Sequence, residues 1–542
     1  MNRNPIGSAV YTTEFDATYD VVVVGFGYAG GITALEAAKA GAEVLLLEKE
    51  PVPGGISICS GGAVRCAEDA DDAFKYLKAT NGERIPDDVV KLNAQGMTKL
   101  ENYVWTLAEN VGATVVTSAG PDKAGNYPFP GRKTFYYTQI ESVPDFDPAN
   151  AYPHVNGKES FKGRHLFRVI EKNLATQDVT IALDQRVVRL VSDRERSEPR
   201  GVVVETETGE RTIRARKGVV LASGGFERNS HFKEQYFKNK PVLPIAGKNE
   251  GDGHQLAMDL GADLWHMWHF HGSYGFKHPD PEYPYAIRLK RFPDWVPEVP
   301  SNMVSEDLAS VEAAGADQKA VPMSWILLDQ NGERYMNEYP PYLQDTGQRP
   351  MGVFDPTEMA FPRNPSYLIC DDSGRRRYPL GDPITNDPDV EYKWSDDNLK
   401  EVENGIIQQS ETIAGLSREL NLPPTKVERS IDRWNEFCEQ NEDEEYGRPS
   451  NSMLPITEPP FYGAEVWSVV SNTQGGPAHD TDQQIVKATG ESINRLYAAG
   501  EIGSAYGHLY LAGANIAECF IAGRVAGRNA TSLNPWDEAS SL

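Results

Sequence analysis

The sequence predicts an α/β fold in two domains, one interrupted by the other, and three observations carry that expectation. A strand, a glycine loop, a helix, a second strand and an acidic residue follow one another near the front of the chain. Two more strands run into small-residue turns, one in mid-chain and one close to the end. The chain also has 542 residues, more than a single hydrophobic core ordinarily organises.

The first unit reads YDVVVVGFGYAGGITALEAAKAGAEVLLLEKE from Tyr19 to Glu50. Val21–Val24 is short, β-branched and apolar, as a strand covered on both faces must be. Gly25, Gly27 and Gly30 follow at GxGxxG spacing, with Tyr28 and Ala29 between them, and Ile32–Ala40 has helical composition up to Gly41. Val44–Leu47 forms the next strand and ends at Glu48, with Lys49 beyond it. Gly25 permits the tight turn, Gly27 lets a pyrophosphate approach the backbone, and Gly30 lets helix and strand pack closely. The helix N-terminus then attracts phosphate, and a carboxylate at Glu48 can take ribose hydroxyls. A Rossmann-like dinucleotide site is therefore expected, against the plainer reading of a tight turn that holds nothing.

The residues beyond Glu48 distinguish the dinucleotide. The segment KEPVPGGISICSGGAV supplies Gly54, Gly55, Ser57, Ser60, Gly61 and Gly62, small residues that bring backbone amides against a ligand. VVLASGGF (219–226) is a strand entering a turn at Ala222, Ser223 and Gly224. LYAAGEIG (496–503) is another, and it carries Glu501. Each could be an ordinary turn between strand and helix. Three together suit a long cofactor gripped from several loops, so FAD is expected rather than NAD.

Bulk properties exclude other classes. The net charge of −26 disfavours a nucleic-acid partner and loose attachment to an anionic membrane. The five cysteines form no CxxC pair, which argues against bound iron–sulfur, c-type haem or structural zinc, and no metal is expected. The N-terminus has no hydrophobic signal core and no stretch approaches a membrane span, so a cytoplasmic protein without a membrane span is expected.

These pieces, with GDGHQLAMDLGADL, ILLDQNGERYMNE and LYAAGEIGSAYGHLYLAGANIAECFIAGRVAGRNA, resemble the flavoprotein superfamily of the fumarate reductase flavoprotein subunit and the 3-ketosteroid dehydrogenases. The resemblance runs over most of residues 18–535 and lapses near 120–165 and 265–320. It implies a discontinuous Rossmann-like FAD-binding domain (1–258 and 455–542) with an inserted α+β substrate or cap domain (259–454). Within the insert, Ser395–Asn441 has a helical pattern. By resemblance Gly25, Gly27, Gly30 and Glu48 hold the ADP half of FAD, and Val187 offers its backbone to the adenine. Ala222, Ser223 and Gly224 line the pyrophosphate and ribityl region, Glu501 meets the ribityl chain, and Asn515 and Ile516 face the pyrimidine end of the flavin. Members that attach FAD covalently use a histidine in the segment aligned with ICSGG; this chain has none there, so non-covalent FAD is implied.

The same resemblance bears on the substrate. Dicarboxylate-reducing members carry arginines where this chain places Tyr342 and Tyr510, and a histidine near Ser273. The tyrosine pattern is similar to the ketosteroid dehydrogenase branch. It implies that Tyr510, with the Gly513 turn, polarises a ketone while Tyr342 removes the α-proton and a hydride leaves for flavin N5. Tyr339 competes for the role of base. A desaturase of a cyclic ketone is thus the leading expectation, and an ene-reductase acting on something other than a dicarboxylate is the alternative. A flavin-loaded scaffold without turnover is a third. The histidines of LWHMWHFH read as a strand facing the substrate cavity, and YPFPGRKTFYY (127–137) as a lid or cavity wall. No second dinucleotide fingerprint is present, so the expected partners are a small-molecule substrate and an external electron donor or acceptor of unknown identity.

Overall fold

The computed structural model describes residues 5–117, 127–157, 162–195, 197–290, 322–339 and 348–536. Its first sheet is organised around β1 (Ala17–Val24), in which Val21, Val22 and Val23 are fully buried. α1 (Tyr28–Lys39) leads from β1 to β2 (Val44–Leu47), and β3 (Val179–Ala182) completes that side. On the other side lie β4 (Gly209–Leu221) and β5 (Ser492–Ala498). The order is β5-β4-β1-β2-β3 and every pairing along it is parallel. Val24 lies level with Leu221 and Leu47, so β1, β2 and β4 end together and deliver their loops to one edge. That edge is where ligands sit in open α/β sheets. α2 (Ala514–Ser532) packs on α1 across the sheet face.

A second sheet is mostly antiparallel and centres on the strand Phe461–Val470, paired with Ser366–Asp371 on one side and Tyr274–Lys277 on the other. Sequence reading puts residue 461 on the flavin-domain side of a boundary at 455, whereas this strand is hydrogen-bonded inside the second sheet. Its Tyr462, Ala464 and Val466 alternate into that sheet's core beside Tyr274, Trp325 and Leu368. The helix Pro424–Gln440 buries Val427, Ile431, Trp434 and Phe437 on one face, against Ile326, Leu328 and Ile369. Beneath it Arg334 and Arg448 meet Glu338 and Asp443, all inaccessible or nearly so. The two layers are joined by short ladders: Leu264–Trp265 pairs with Gly476–Pro477, and Phe270–His271 with Asn472–Thr473. The expected single histidine-bearing strand is therefore two strands with a turn between them.

Candidate active site

The loops at the ends of β1, β2 and β4 enclose a cleft of about 980 Å³, its open mouth included. Gly25 has φ +104°, and a Cβ there would come within 2.5 Å of the Ala222 carbonyl oxygen. A Cβ on Gly30 would lie 1.8 Å from the Gly25 oxygen, so only glycine allows α1 to begin this close to β1. Glu48 is a clasp: one carboxylate oxygen accepts the Phe26 N–H at 2.9 Å and the other the Glu50 N–H at 3.0 Å. Burial raises its pKa from the ordinary carboxylate range. Ser57 Oγ accepts the Tyr28 N–H, while the Tyr28 hydroxyl donates to the Gly163 carbonyl, which gives the Tyr28 ring a packing role.

Of the residues expected at the cofactor, Gly25, Gly27, Tyr28, Ala29, Glu48, Lys49, Gly54, Gly55, Ser57, Val187, Ala222, Ser223, Gly224 and Glu501 all line this cleft. Gly30 lies under it. Ser60, Gly61 and Gly62 form its outer support: the Ser60 and Gly61 carbonyls accept the N–H groups of Gly163 and Lys162. Asn515 and Ile516 stand at the start of α2, where the helix dipole favours negative charge.

The second domain contributes groups that no local motif announces. Asn386 donates to the carbonyls of Pro53 (3.1 Å) and Gly55 (2.9 Å), tying the cap to the loop after Glu48. Lys248 bridges Glu50 (3.3 Å) and Asp387 (2.8 Å) across the same seam. Lys49 is taken by Glu250 and Asp252, and Arg186 grips Asp252 with two nitrogens. With these three cations committed to carboxylates, a phosphate in the cleft depends on backbone N–H groups and the start of α1. Two buried polar atoms facing the cleft, Ser223 Oγ and Glu501 Oε1, have no hydrogen-bond partner among the described residues. Buried polar groups are ordinarily satisfied, and the hydroxyls and phosphates of FAD would satisfy these, so the residues present fit that cofactor.

Beyond the cleft, Tyr510 stands edge-on to His271 with ring centroids 4.2 Å apart. His271 and His269 are buried, and burial holds both imidazoles uncharged at neutral pH. Gly513 opens α2 with φ +70°; Arg65 secures the turn, its Nε donating to the Ala512 carbonyl at 2.8 Å and its backbone N–H to that of Gly513 at 3.2 Å. A Cβ on Gly513 would fall 2.6 Å from the Ala63 oxygen and 3.0 Å from the Tyr137 ring, so Tyr137 packs against this turn. Tyr342 lies outside the described residues. Tyr339 is buried in the core of the second sheet with Trp325, Met336 and Met351.

One arginine also reaches this region. Arg349 donates to the His508 carbonyl at 2.5 Å, and its charge adds to burial, the larger cause, in lowering the basicity of His269, His271 and Lys240. Its position in TGQRPMG matches no motif, so only the fold brings it to the His508 carbonyl, two residues before Tyr510. Among the described residues no group of three or more His, Cys, Asp or Glu side chains is arranged to hold a metal ion.

Comparison with known proteins places this geometry. The family model described as FAD binding domain matches residues 20–272 and 292–516. The 3-oxosteroid 1-dehydrogenase of Mycolicibacterium smegmatis is 26% identical, over 91% of this chain and 93% of its own length. The digoxin reductase of Eggerthella lenta is 24% identical, over 96% of this chain and 88% of its own. In fold, the chain is similar to the crystal structure of 3-ketosteroid delta1-dehydrogenase from Sterolibacterium denitrificans in complex with 1,4-androstadiene-3,17-dione. The TM-score is 0.75 at 20% identity, covering 95% of this chain and 99% of that one.

Proposed function

This chain belongs to the FAD binding domain family, and from that premise we propose that it desaturates a cyclic ketone, steroidal or smaller, beside its carbonyl. It is an FAD-dependent oxidoreductase acting on CH–CH groups. The finer reading rests on one observation: a phenol, Tyr510, set at the Gly513 turn against a buried imidazole that carries no charge. Beside that neutral imidazole, the Tyr510 hydroxyl would donate to a ketone oxygen as negative charge develops there. Bound FAD supplies the hydride acceptor. Gly25, Gly27, Glu48, Ser57, Ser223 and Glu501 would hold it, without a covalent bond, since no histidine lies in the stretch from Gly54 to Gly62. Tyr342 is the proposed base, because Tyr339 is taken up in the core.

Arg349 supports a second reading, reduction of an enone or enoate. A guanidinium at the His508 carbonyl, two residues from Tyr510, suits an anionic oxygen better than a phenol alone does. In either direction Tyr510 polarises the carbonyl, so one experiment tests it. In anaerobic D₂O, the protein is expected to exchange the α-protons of a ketone substrate, followed by NMR. Tyr510→Phe should slow that exchange by about 100-fold, the usual cost of one oxyanion donor. Exchange at the unaltered rate in Tyr510→Phe would remove Tyr510 from the mechanism.

A further inference from the structure

A buried carboxyl, Glu227, and a half-buried one at the cleft, Glu501, converge where β4 and β5 deliver their turns. A Cβ built on Gly225 would lie 2.7 Å from Glu227 Oε1 and 2.6 Å from Glu501 Oε1, so both side chains crowd over one backbone atom. The Thr473 N–H donates to Glu227 Oε1 at 3.0 Å. Glu227 Oε2 and Glu501 Oε1 have no hydrogen-bond partner, and neither carboxyl has an ion-pair partner, among the described residues. Glu227 is 1% exposed. A single backbone N–H cannot balance two negative charges this close, one of them buried and the other half-buried. Carboxyls placed this way hold a proton between them.

We propose that Glu501 keeps a proton at neutral pH, directed at Glu227, and that this proton positions Glu501 for the ribityl hydroxyls of FAD. Glu227 would thus be a positioning residue that acts on the cofactor through Glu501. The proposal rests on FAD filling the cleft and is independent of the ketone chemistry. Burial, and then the neighbouring Glu227, push Glu501 well above the ordinary carboxylate range. Placing FAD over Glu501 removes its remaining water, so a doubly ionised pair would be penalised more with the cofactor bound than without it. FAD binding should then favour the protonated pair and weaken as the pair loses its proton.

The groups facing the pair do not replace that proton. Lys233, on the helix Ser230–Tyr236, is the cation that senses Glu227, and burial lowers it to about 8. Cys519, on α2 beside Glu501, is pushed up to about 12 by burial, and His254 is held uncharged by burial, at about 4. Burial pushes Glu518, which accepts from the Ser504 hydroxyl and the Ala505 N–H, up to about 7, and it is the group to control for.

The test is the affinity of the apoprotein for FAD, read by flavin fluorescence from pH 6 to pH 10. Wild type should bind at least tenfold more weakly at the alkaline end. Glu227→Gln keeps an acceptor for Thr473 and offers Glu501 a permanent donor, so its affinity should vary less than threefold. Glu518→Gln should keep the wild-type profile. A flat wild-type profile overturns the proposal, as does a Glu227→Gln profile as steep as wild type, or a Glu518→Gln profile that has lost its slope. Should Glu227→Gln not fold, calorimetry of wild type in buffers of different ionisation enthalpy decides. Proton uptake on binding FAD at alkaline pH supports the retained proton, and none refutes it.

Discussion

Replacing Glu48 with glutamine changes one atom and breaks a clasp. The carboxylate accepts two backbone N–H groups, from Phe26 at 2.9 Å and from Glu50 at 3.0 Å, one on each oxygen. Glutamine has a single acceptor, and its amide nitrogen would face an N–H, donor against donor. The bond lost is charge-assisted, worth about 1.5–3 kcal/mol, and the orphaned buried N–H costs on the order of another 1–3 kcal/mol unless the loop opens to water. Relaxation of the loop recovers part of this, which leaves about 2 kcal/mol. Because Phe26 and Glu50 flank the cleft, the loss should fall mainly on cofactor binding, as FAD affinity weakened roughly 30-fold. Fluorescence titration of apoprotein with FAD measures it, with a thermal melt of both apoproteins to separate loop disorder from global unfolding. An affinity within threefold of wild type would refute the idea that this carboxylate organises the adenosine end of the site.

Other perturbations separate the parts of the account. Gly30→Ala places a Cβ 1.8 Å from the Gly25 oxygen and should give protein without flavin, whereas Gly55→Ala meets nothing within 4 Å and, at φ +48°, should cost about 1 kcal/mol and keep its flavin. The flavin-to-protein absorbance ratio of the purified variants distinguishes them. Burial raises the pKa of Glu338 and Asp443, but Arg334, with Arg448 beside Glu338, outweighs it and leaves both lowered. Their contribution to stability is therefore complete above the unfolded carboxylate values, about 4, and disappears as pH falls through the lower folded values. Glu338→Gln should cost about 3–5 kcal/mol near neutrality and flatten that acid dependence, as urea unfolding between pH 3 and 6 would measure. Arg349→Met should retain flavin and reoxidise at least about tenfold more slowly with an enoate, followed by stopped flow. An unchanged rate would remove the support for the reductive reading.

The cofactor cleft was legible because its chemistry is local. Gly25, Gly27 and Gly30 follow one another at the start of α1, and Glu48 follows the neighbouring strand, so local sequence pattern alone brings them to one cleft. The parts that sequence reading missed depend on long-range contacts. Asn386 reaches Pro53 and Gly55, Lys248 spans Glu50 and Asp387, and Arg349 reaches His508. None sits in a periodic or spaced pattern, and a lone Asn, Lys or Arg in a loop resembles many solvated ones. The sheet that holds the strand Phe461–Val470 was not legible for a related reason. The alternation marks a strand, but it does not say which of two sheets supplies the partners, and those lie at Ser366–Asp371 and Tyr274–Lys277. Glu227 follows a glycine turn whose own role was clear, and its partner Glu501 comes from another strand end, so the pair exists only in the fold.

The most direct test is to mix the anaerobic, FAD-loaded protein with 3-ketosteroids and simple cyclic ketones and to follow the flavin absorbance. Loss of the oxidised-flavin band with a saturated ketone, and recovery of the α,β-unsaturated product in equal amount, is the predicted result. No bleaching with any ketone, while dithionite-reduced protein is reoxidised by an enone or enoate, would contradict the desaturase assignment and make the chain a reductase.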